Sequence, residues 1–138
     1  MSNKTPVNIR VIYADTDAMG IVYHTNYIRW FETGRSELFR DMGILIKDVV
    51  ASGINLPLTQ VYCHYHHPAH YDEIVNIETQ ISYLKRVSMK FKYVVLNQTS
   101  ERVLAEGYTV HACTDRNGNV IRIPECITHM IQSFLSSK

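Results

Sequence analysis

The sequence predicts an α+β fold in which a long antiparallel β-sheet wraps around one central α-helix. Three observations predict it. Residues 27–40 (YIRWFETGRSELFR) place their apolar side chains on one arc of roughly 180° at the helical repeat. Four segments between 58 and 114 are long and rich in β-branched and aromatic residues. The connections at 84–86 and 97–101 are too short for a parallel crossover, so they imply antiparallel hairpins.

Taken in order, residues 5–13 (TPVNIRVIY) alternate as a first strand, and Ala14-Asp15-Thr16-Asp17-Ala18-Met19-Gly20 follows as turn formers and small residues. Gly20 suits a sharp bend at positive φ. Asn26 or Thr25 is the expected N-cap of the 27–40 helix. Its inward arc holds Tyr27, Ile28, Trp30, Phe31, Gly34, Leu38 and Phe39, with Arg29, Thr33, Ser36, Glu37 and Arg40 opposite. An arc that wide implies heavy burial. Gly34, in its middle, weakens a helix by up to ~1 kcal/mol relative to alanine, so a close approach of another backbone is expected there. Arg35 lies near the apolar arc and needs a partner; Glu32, one turn earlier, is within reach, and Glu32, Arg35 and Glu37 read as structural pairs. Gly43 ends the helix, and 44–52 can form a shorter one.

Strands are expected at 58–67, 73–83, 87–96 and 102–114. In the third, Val87, Met89, Phe91, Tyr93 and Val95 alternate with period two. Asn117-Gly118 signals a type I′ hairpin before a short strand at 120–122. Pro124 can open a last helix over 125–135, with Ile127, Met130, Ile131 and Phe134 on one face.

A chain of 138 residues suits a single domain spanning 1–138. With 14 basic against 13 acidic residues, it gives no electrostatic argument for nucleic acid. No run approaches the ~20 apolar residues of a membrane helix, and MSNKTPVNIR lacks the apolar core of a signal peptide. The three cysteines, Cys63, Cys113 and Cys126, are odd in number and form no C-x-x-C. A disulfide framework or zinc site is therefore not expected, and the reading is a cytoplasmic protein with mostly buried, reduced thiols.

Chemistry concentrates in Tyr13-Ala-Asp15-Thr-Asp17-Ala-Met-Gly20-Ile-Val22-Tyr-His24-Thr-Asn-Tyr27. Two acids, a glycine and a histidine lead into a buried helix. A helix N-terminus offers unpaired N–H groups and about half a unit of positive charge. Those donors can polarise a carbonyl, and an upstream carboxylate can attack it or activate water. The alternative is a simple turn, with both aspartates as Asx caps and the glycine supplying φ > 0.

Lys85 and Arg86 form a second candidate, a basic turn between two long strands that suits phosphate; an ordinary solvated turn is the alternative. His64, His66, His67 and His70 form a third. His64 and His66 would share a strand face, but no neighbouring Cys, Asp or Glu completes a recognised metal site, so surface or subunit-interface histidines are expected. His111 and Cys113 also share a strand face; a buried thiol is expected, with a Cys–His nucleophilic pair the alternative. Tyr62, Tyr65, Tyr83, Tyr93 and Tyr108 fall in strands and suit half-buried sheet faces and subunit contacts.

The run from Tyr13 to Tyr27 and on into Trp30-Phe31-Glu32 resembles the hotdog-fold acyl-CoA thioesterases of the 4-hydroxybenzoyl-CoA thioesterase family, and most closely its Tol-Pal-associated branch. The pattern D-x-D-x-x-G-x-V-x-H-x-x-Y stands here as Asp15, Asp17, Gly20, Val22, His24 and Tyr27. Pro68-Ala69, Tyr71-Asp72-Glu73, Lys85-Arg86 and Ser88 extend the likeness over nearly the whole chain. The resemblance implies Asp17 as catalytic carboxylate, nucleophile or general base. It puts the carbonyl-polarising N–H at His24, whose side chain either orients water or the acyl group or simply caps the loop. Asp15 falls beside the catalytic acid and reads as a brace. Tyr13, Asp15, Gly20, Val22 and Tyr27 are carried over as the substrate-binding frame, with Lys85, Arg86 and Ser88 on the coenzyme A phosphates. Val87 stands where the hydroxybenzoyl branch often has a third basic residue.

The likeness further implies no cofactor and no metal, a homotetramer built as a dimer of dimers, and an acyl-CoA substrate, with acyl-carrier protein an open alternative carrier. Two other readings stand beside hydrolysis. One is a hotdog hydratase or dehydratase; the other is an acyl-CoA or acyl-carrier-protein binding or sensor protein without turnover.

Overall fold

Strands β3 (Ile74–Leu84), β4 (Ser88–Asn97) and β5 (Val103–Ala112) are consecutive antiparallel hairpins at the centre of a five-stranded sheet. Strand β1 (Val7–Arg10) pairs with β3 on one edge and β2 (Leu58–Tyr65) with β5 on the other, giving the order β1-β3-β4-β5-β2. The computed structural model describes residues 6–137. The start of the expected first strand, Thr5, lies outside the described residues.

The sheet curls over helix α1 (Thr25–Asp41), as expected of a hotdog fold. Register shifts at Ile81/Tyr83 and Val95/Leu96 add local twist, as bulges do. Tyr27, Trp30, Phe31, Gly34, Leu38 and Phe39 are the buried face of α1. Phe31 stacks on Tyr93 at 4.3 Å, and Phe39 meets Phe91 edge-on at 5.4 Å. Tyr93 is thus core and not a half-buried surface tyrosine, because β4 runs directly beneath the helix. Gly34 does mark a close approach. A Cβ there would collide with the Thr79 and Ile77 side chains of β3; the near neighbours are side chains rather than backbone.

Helix α1 starts at Thr25, two residues before the expected start, with His24 as N-cap in helical conformation. Backbone bonds from Asn26 N–H to Tyr23 O and from Tyr27 N–H to His24 O form a tight entry turn. The Asn26 side chain does not cap; it donates to the Asp15 carbonyl. Arg35 does not pair with Glu32. Its guanidinium lies against the Tyr93 hydroxyl on the sheet side, while Glu37 bonds Arg40 at 3.2 Å.

Helix α2 (Ile46–Ala51) and helix α3 (Glu125–Ser136) complete the fold, and Ile127, Ile131 and Phe134 of α3 enter the core. The Asn117-Gly118 turn is not type I′. Asn117 keeps negative φ, and only Gly118, at +85°, is left-handed. The Asp115 carboxylate accepts the Asn117 and Asn119 amides and organises a three-residue loop instead. The expected 120–122 strand is reduced to a single bridge, Thr114 to Val120. Cys113 is buried and Cys63 half-buried, but Cys126 is exposed, on the outer face of α3.

Candidate active site

A β-bridge and three hydrogen bonds hold the loop before α1. Thr16 bridges Val22, and between them the chain reverses through Asp17 to Gly20. The Gly20 amide bonds the Asp17 carbonyl, and Gly20 takes φ +80°. The Asp17 amide bonds the Ile21 carbonyl. The Asp17 carboxylate accepts the Met19 amide through Oδ1 at 2.8 Å. Its Oδ2 makes no hydrogen bond among the described residues, so one carboxylate oxygen remains available.

Asp15 is the brace. Its Oδ1 accepts Arg29 Nη2 at 2.6 Å, its Oδ2 accepts the Ile12 amide, and its carbonyl accepts Tyr23 N–H and Asn26 Nδ2. It is buried, and both carboxylate oxygens are engaged within the protein.

Asp17, Val22, His24 and Tyr27 line one cavity of about 370 Å³. The Tyr27 hydroxyl accepts the Ala69 amide at 3.0 Å, and burial pushes its pKa up. The Val22 amide donates to the Ala69 carbonyl. The backbone amides of His24 and Thr25 have no acceptor among the described residues, which follows from the helix entry: the first intrahelical bonds belong to Asn26 and Tyr27. A carboxylate and the positive end of a 17-residue helix therefore meet at one cavity, an arrangement that can polarise a carbonyl and attack it or activate water beside it.

The far wall comes from the end of β2 and the segment after it: Tyr65, His66, His67 and Pro68. Sequence reasoning places these in a strand or at the surface. Tyr65 donates its hydroxyl to the His24 carbonyl at 2.9 Å. Burial, then a hydrogen bond with Cys63, raises its pKa to about 12, so the donor stays protonated. His66 Nε2 lies 2.9 Å from Glu106 Oε2. His64 and His66 do share a face, with rings stacked at 4.3 Å. Among the described residues no three His, Cys, Asp or Glu side chains gather as metal ligands. Pro68-Ala69 is the available sequence signal for this wall, since it belongs to the same pattern as the Asp17 loop.

Other candidates lie elsewhere. Tyr13 is exposed and meets Tyr71 edge-on, away from the cavity. Lys85, Arg86 and Ser88 form the β3–β4 turn, where Lys85 N–H donates to Ser88 O and Lys85 Nζ sits 4.4 Å from the Tyr83 ring. Ile74 marks the cavity end of β3 and Leu84 the turn end, so roughly 30 Å of strand separates the turn from the Asp17 loop. Within one chain these residues do not join the cavity.

A family model described as the thioesterase-like superfamily matches residues 11–131. The acyl-CoA thioesterase YbgC of Haemophilus influenzae is 30% identical over 111 residues, 78% of each chain. YneP of Bacillus subtilis, provisionally named an acyl-CoA thioesterase, is 35% identical over 108 residues, again 78% of each chain. A hypothetical protein of Thermus thermophilus, known from its crystal structure, is similar at a TM-score of 0.88 and 30% identity, covering 96% of this chain and 97% of its own.

Proposed function

This chain belongs to the thioesterase-like superfamily, and from that premise we propose that it hydrolyses acyl-CoA to a free acid and coenzyme A, with Asp17 as the catalytic carboxylate. One observation carries the reading: Asp17, with an unengaged oxygen, and His24, whose backbone amide is unpaired at the entry of α1, line the same cavity. Relatives named acyl-CoA thioesterases support the substrate class.

In this reading the thioester carbonyl oxygen accepts the His24 N–H, and the α1 dipole stabilises the developing oxyanion. Asp17 then acts in one of two ways. As nucleophile it forms a mixed anhydride and expels the coenzyme A thiolate, and water then cleaves the anhydride. As general base it takes a proton from water, whose oxygen adds to the carbonyl; the tetrahedral adduct then collapses with cleavage of the C–S bond, and the proton held by Asp17 passes to the leaving coenzyme A thiolate. His24, which matches by resemblance the histidine of the Tol-Pal-associated branch, supports assigning the chain to that branch.

The assembly is a homotetramer, a dimer of dimers, in this reading. Its support is β2, an edge strand with Val61, Tyr62 and Tyr65 exposed, which a second copy would cover. A cytoplasmic location is part of the same proposal; no helix among the described residues is long and apolar enough to cross a membrane. Acyl-carrier protein stays an alternative carrier.

The test is free-thiol release from short, long and benzoyl-type acyl-CoAs by wild type and Asp17→Asn. The side-chain carbonyl of the substituted asparagine would still accept the Met19 amide, so the loop persists while the carboxylate is lost. Turnover by wild type and a drop of at least a hundredfold in the variant would support the reading; equal turnover would move the chemistry away from Asp17. Binding without turnover in either form would favour the sensor role.

A further inference from the structure

Helix α1 borders a second cavity, of about 210 Å³, that shares no lining residue with the Asp17 cavity. Glu32 and Arg35 of α1, Val49 of α2, Leu56, Phe91 and His111 stand on its wall. Arg35 is half-buried, and its Nη1 is buried with no hydrogen-bond partner. Among the described residues no carboxylate lies within ion-pair distance of it; Glu32, on the same wall, is unpaired.

The neighbouring polar groups are already committed. Leu56 O can only accept, so His111 Nδ1 carries the proton and donates to it at 3.1 Å. His111 Nε2 then accepts the Thr109 hydroxyl at 2.9 Å, and Thr109 Oγ1 accepts the Tyr93 hydroxyl at 2.6 Å. Each proton in this chain is used once when the ring is uncharged, and burial, which lowers the His111 pKa to about 4, keeps it so near neutral pH. The cavity wall is therefore largely apolar and carries two charged groups that do not pair with each other, the Glu32 carboxylate and the Arg35 guanidinium, whose buried Nη1 still lacks an acceptor. Such a cation is costly to leave beside low-dielectric surroundings, and its planar fork matches a carboxylate.

We propose that this cavity binds a small carboxylate with an apolar body, its anionic head against the Arg35 guanidinium and its tail among Val49, Leu56 and Phe91. The volume admits a short-chain or benzoate-sized acid and excludes a nucleotide. The site stands on its own geometry and does not rest on the thioesterase reading.

The test is titration of the intact protein with hexanoate and its neutral analogue hexanamide, followed by NMR of ¹³C-labelled isoleucine and valine methyls. Hexanoate is expected to shift Val49, Val50 and Ile54 and to leave Ile21 and Val22 unmoved. It should bind at least tenfold more tightly than hexanamide, and Arg35→Met should abolish that preference. Arg35→Gln serves if the Met variant does not fold. Asp17→Asn should bind hexanoate as wild type does, whatever happens to turnover. Equal affinity for acid and amide, undiminished binding in both Arg35 variants, shifts confined to Ile21 and Val22, or no binding at millimolar hexanoate would each overturn the proposal.

Discussion

Arg29 Nη2 donates to Asp15 Oδ1 across 2.6 Å, tying the fifth residue of α1 to the acid two residues before Asp17. The pair is lopsided: the Asp15 side chain is 6% exposed and that of Arg29 59%. Asp15 also holds the Ile12 amide. Asp15→Ala therefore strands a buried amide and releases the helix entry. It should cost about 2 kcal/mol, the scale of a charge-assisted hydrogen bond with a partner left unpaired. Arg29→Met should cost less, because the arginine is mostly solvated and the Ile12 bond remains. Urea denaturation of both variants checks the order; an equal or larger loss for Arg29→Met would contradict it.

Tyr65 acts on the same helix entry from the opposite wall. Its hydroxyl bonds the His24 carbonyl at 2.9 Å, in the same peptide group as the unpaired Thr25 amide. Tyr65→Phe keeps the ring contacts with Tyr27 and His24 and removes one hydrogen bond, worth about 1 kcal/mol. The expected outcome is a melting temperature within a few degrees of wild type and kcat reduced several-fold. Initial rates beside a thermal melt separate the two effects. A loss of stability without a kinetic change would make Tyr65 merely structural.

Gly34 offers a packing test far from the chemistry. A methyl group at this position would collide with Thr79 and Ile77 on β3, and neither the helix nor the central strand can retreat without disturbing the Phe31–Tyr93 stack. Gly34→Ala gains up to ~1 kcal/mol in helix propensity, while overpacking costs about 1–3 kcal/mol. A net destabilisation is expected. A more stable variant in chemical denaturation would show that β3 yields.

His111 makes stability depend on pH. Burial lowers its pKa from 6.5 to about 4, Arg35 adds in the same direction, and the bond to Leu56 opposes. The unfolded histidine therefore binds a proton more readily than the folded one. Its contribution is fully present above pH 6.5 and is lost as pH falls towards 4, by up to about 3 kcal/mol. Subtracting the pH profile of His111→Gln from that of wild type isolates this residue from the carboxylates. The difference should shrink between about pH 7 and about pH 4.5; a constant difference would mean His111 titrates alike in both states.

Legibility in the sequence followed the range of the interactions. The wide apolar arc of α1 and the period-two run from Met89 to Val95 specify burial locally, so helix and strands fall within a few residues of expectation. The Asp17 loop was legible because its pattern packs acid, glycine and helix entry into one short stretch. Features set by distant partners were not. Tyr65 joins the cavity only because β2 ends beside α1. Arg35 turns not to Glu32 but to Tyr93 of β4, a partner distant in the sequence that helical spacing cannot show. Asn117-Gly118 departs from type I′ because Asp115 captures two amides, a choice that dipeptide statistics do not encode.

The basic turn poses the last question. Roughly 30 Å of β3 separates Lys85 and Arg86 from the Asp17 loop, too far for both to serve one thioester from a single chain in the folded form. If the turn holds the phosphates of coenzyme A, it does so for the site of another copy. Lys85→Ala with Arg86→Ala should then raise KM for acyl-CoA by about tenfold or more and leave small thioesters without a nucleotide unaffected. The stronger check is complementation. Asp17→Asn lacks the carboxylate and keeps the turn; the double variant lacks the turn and keeps the carboxylate. In a mixed assembly one kind of site would regain both, Asp17 from one copy and the basic turn from its neighbour. Co-refolding the two variants should therefore restore acyl-CoA hydrolysis at low substrate above the sum of the separate activities. Activity no greater than that sum would place the phosphate contacts elsewhere.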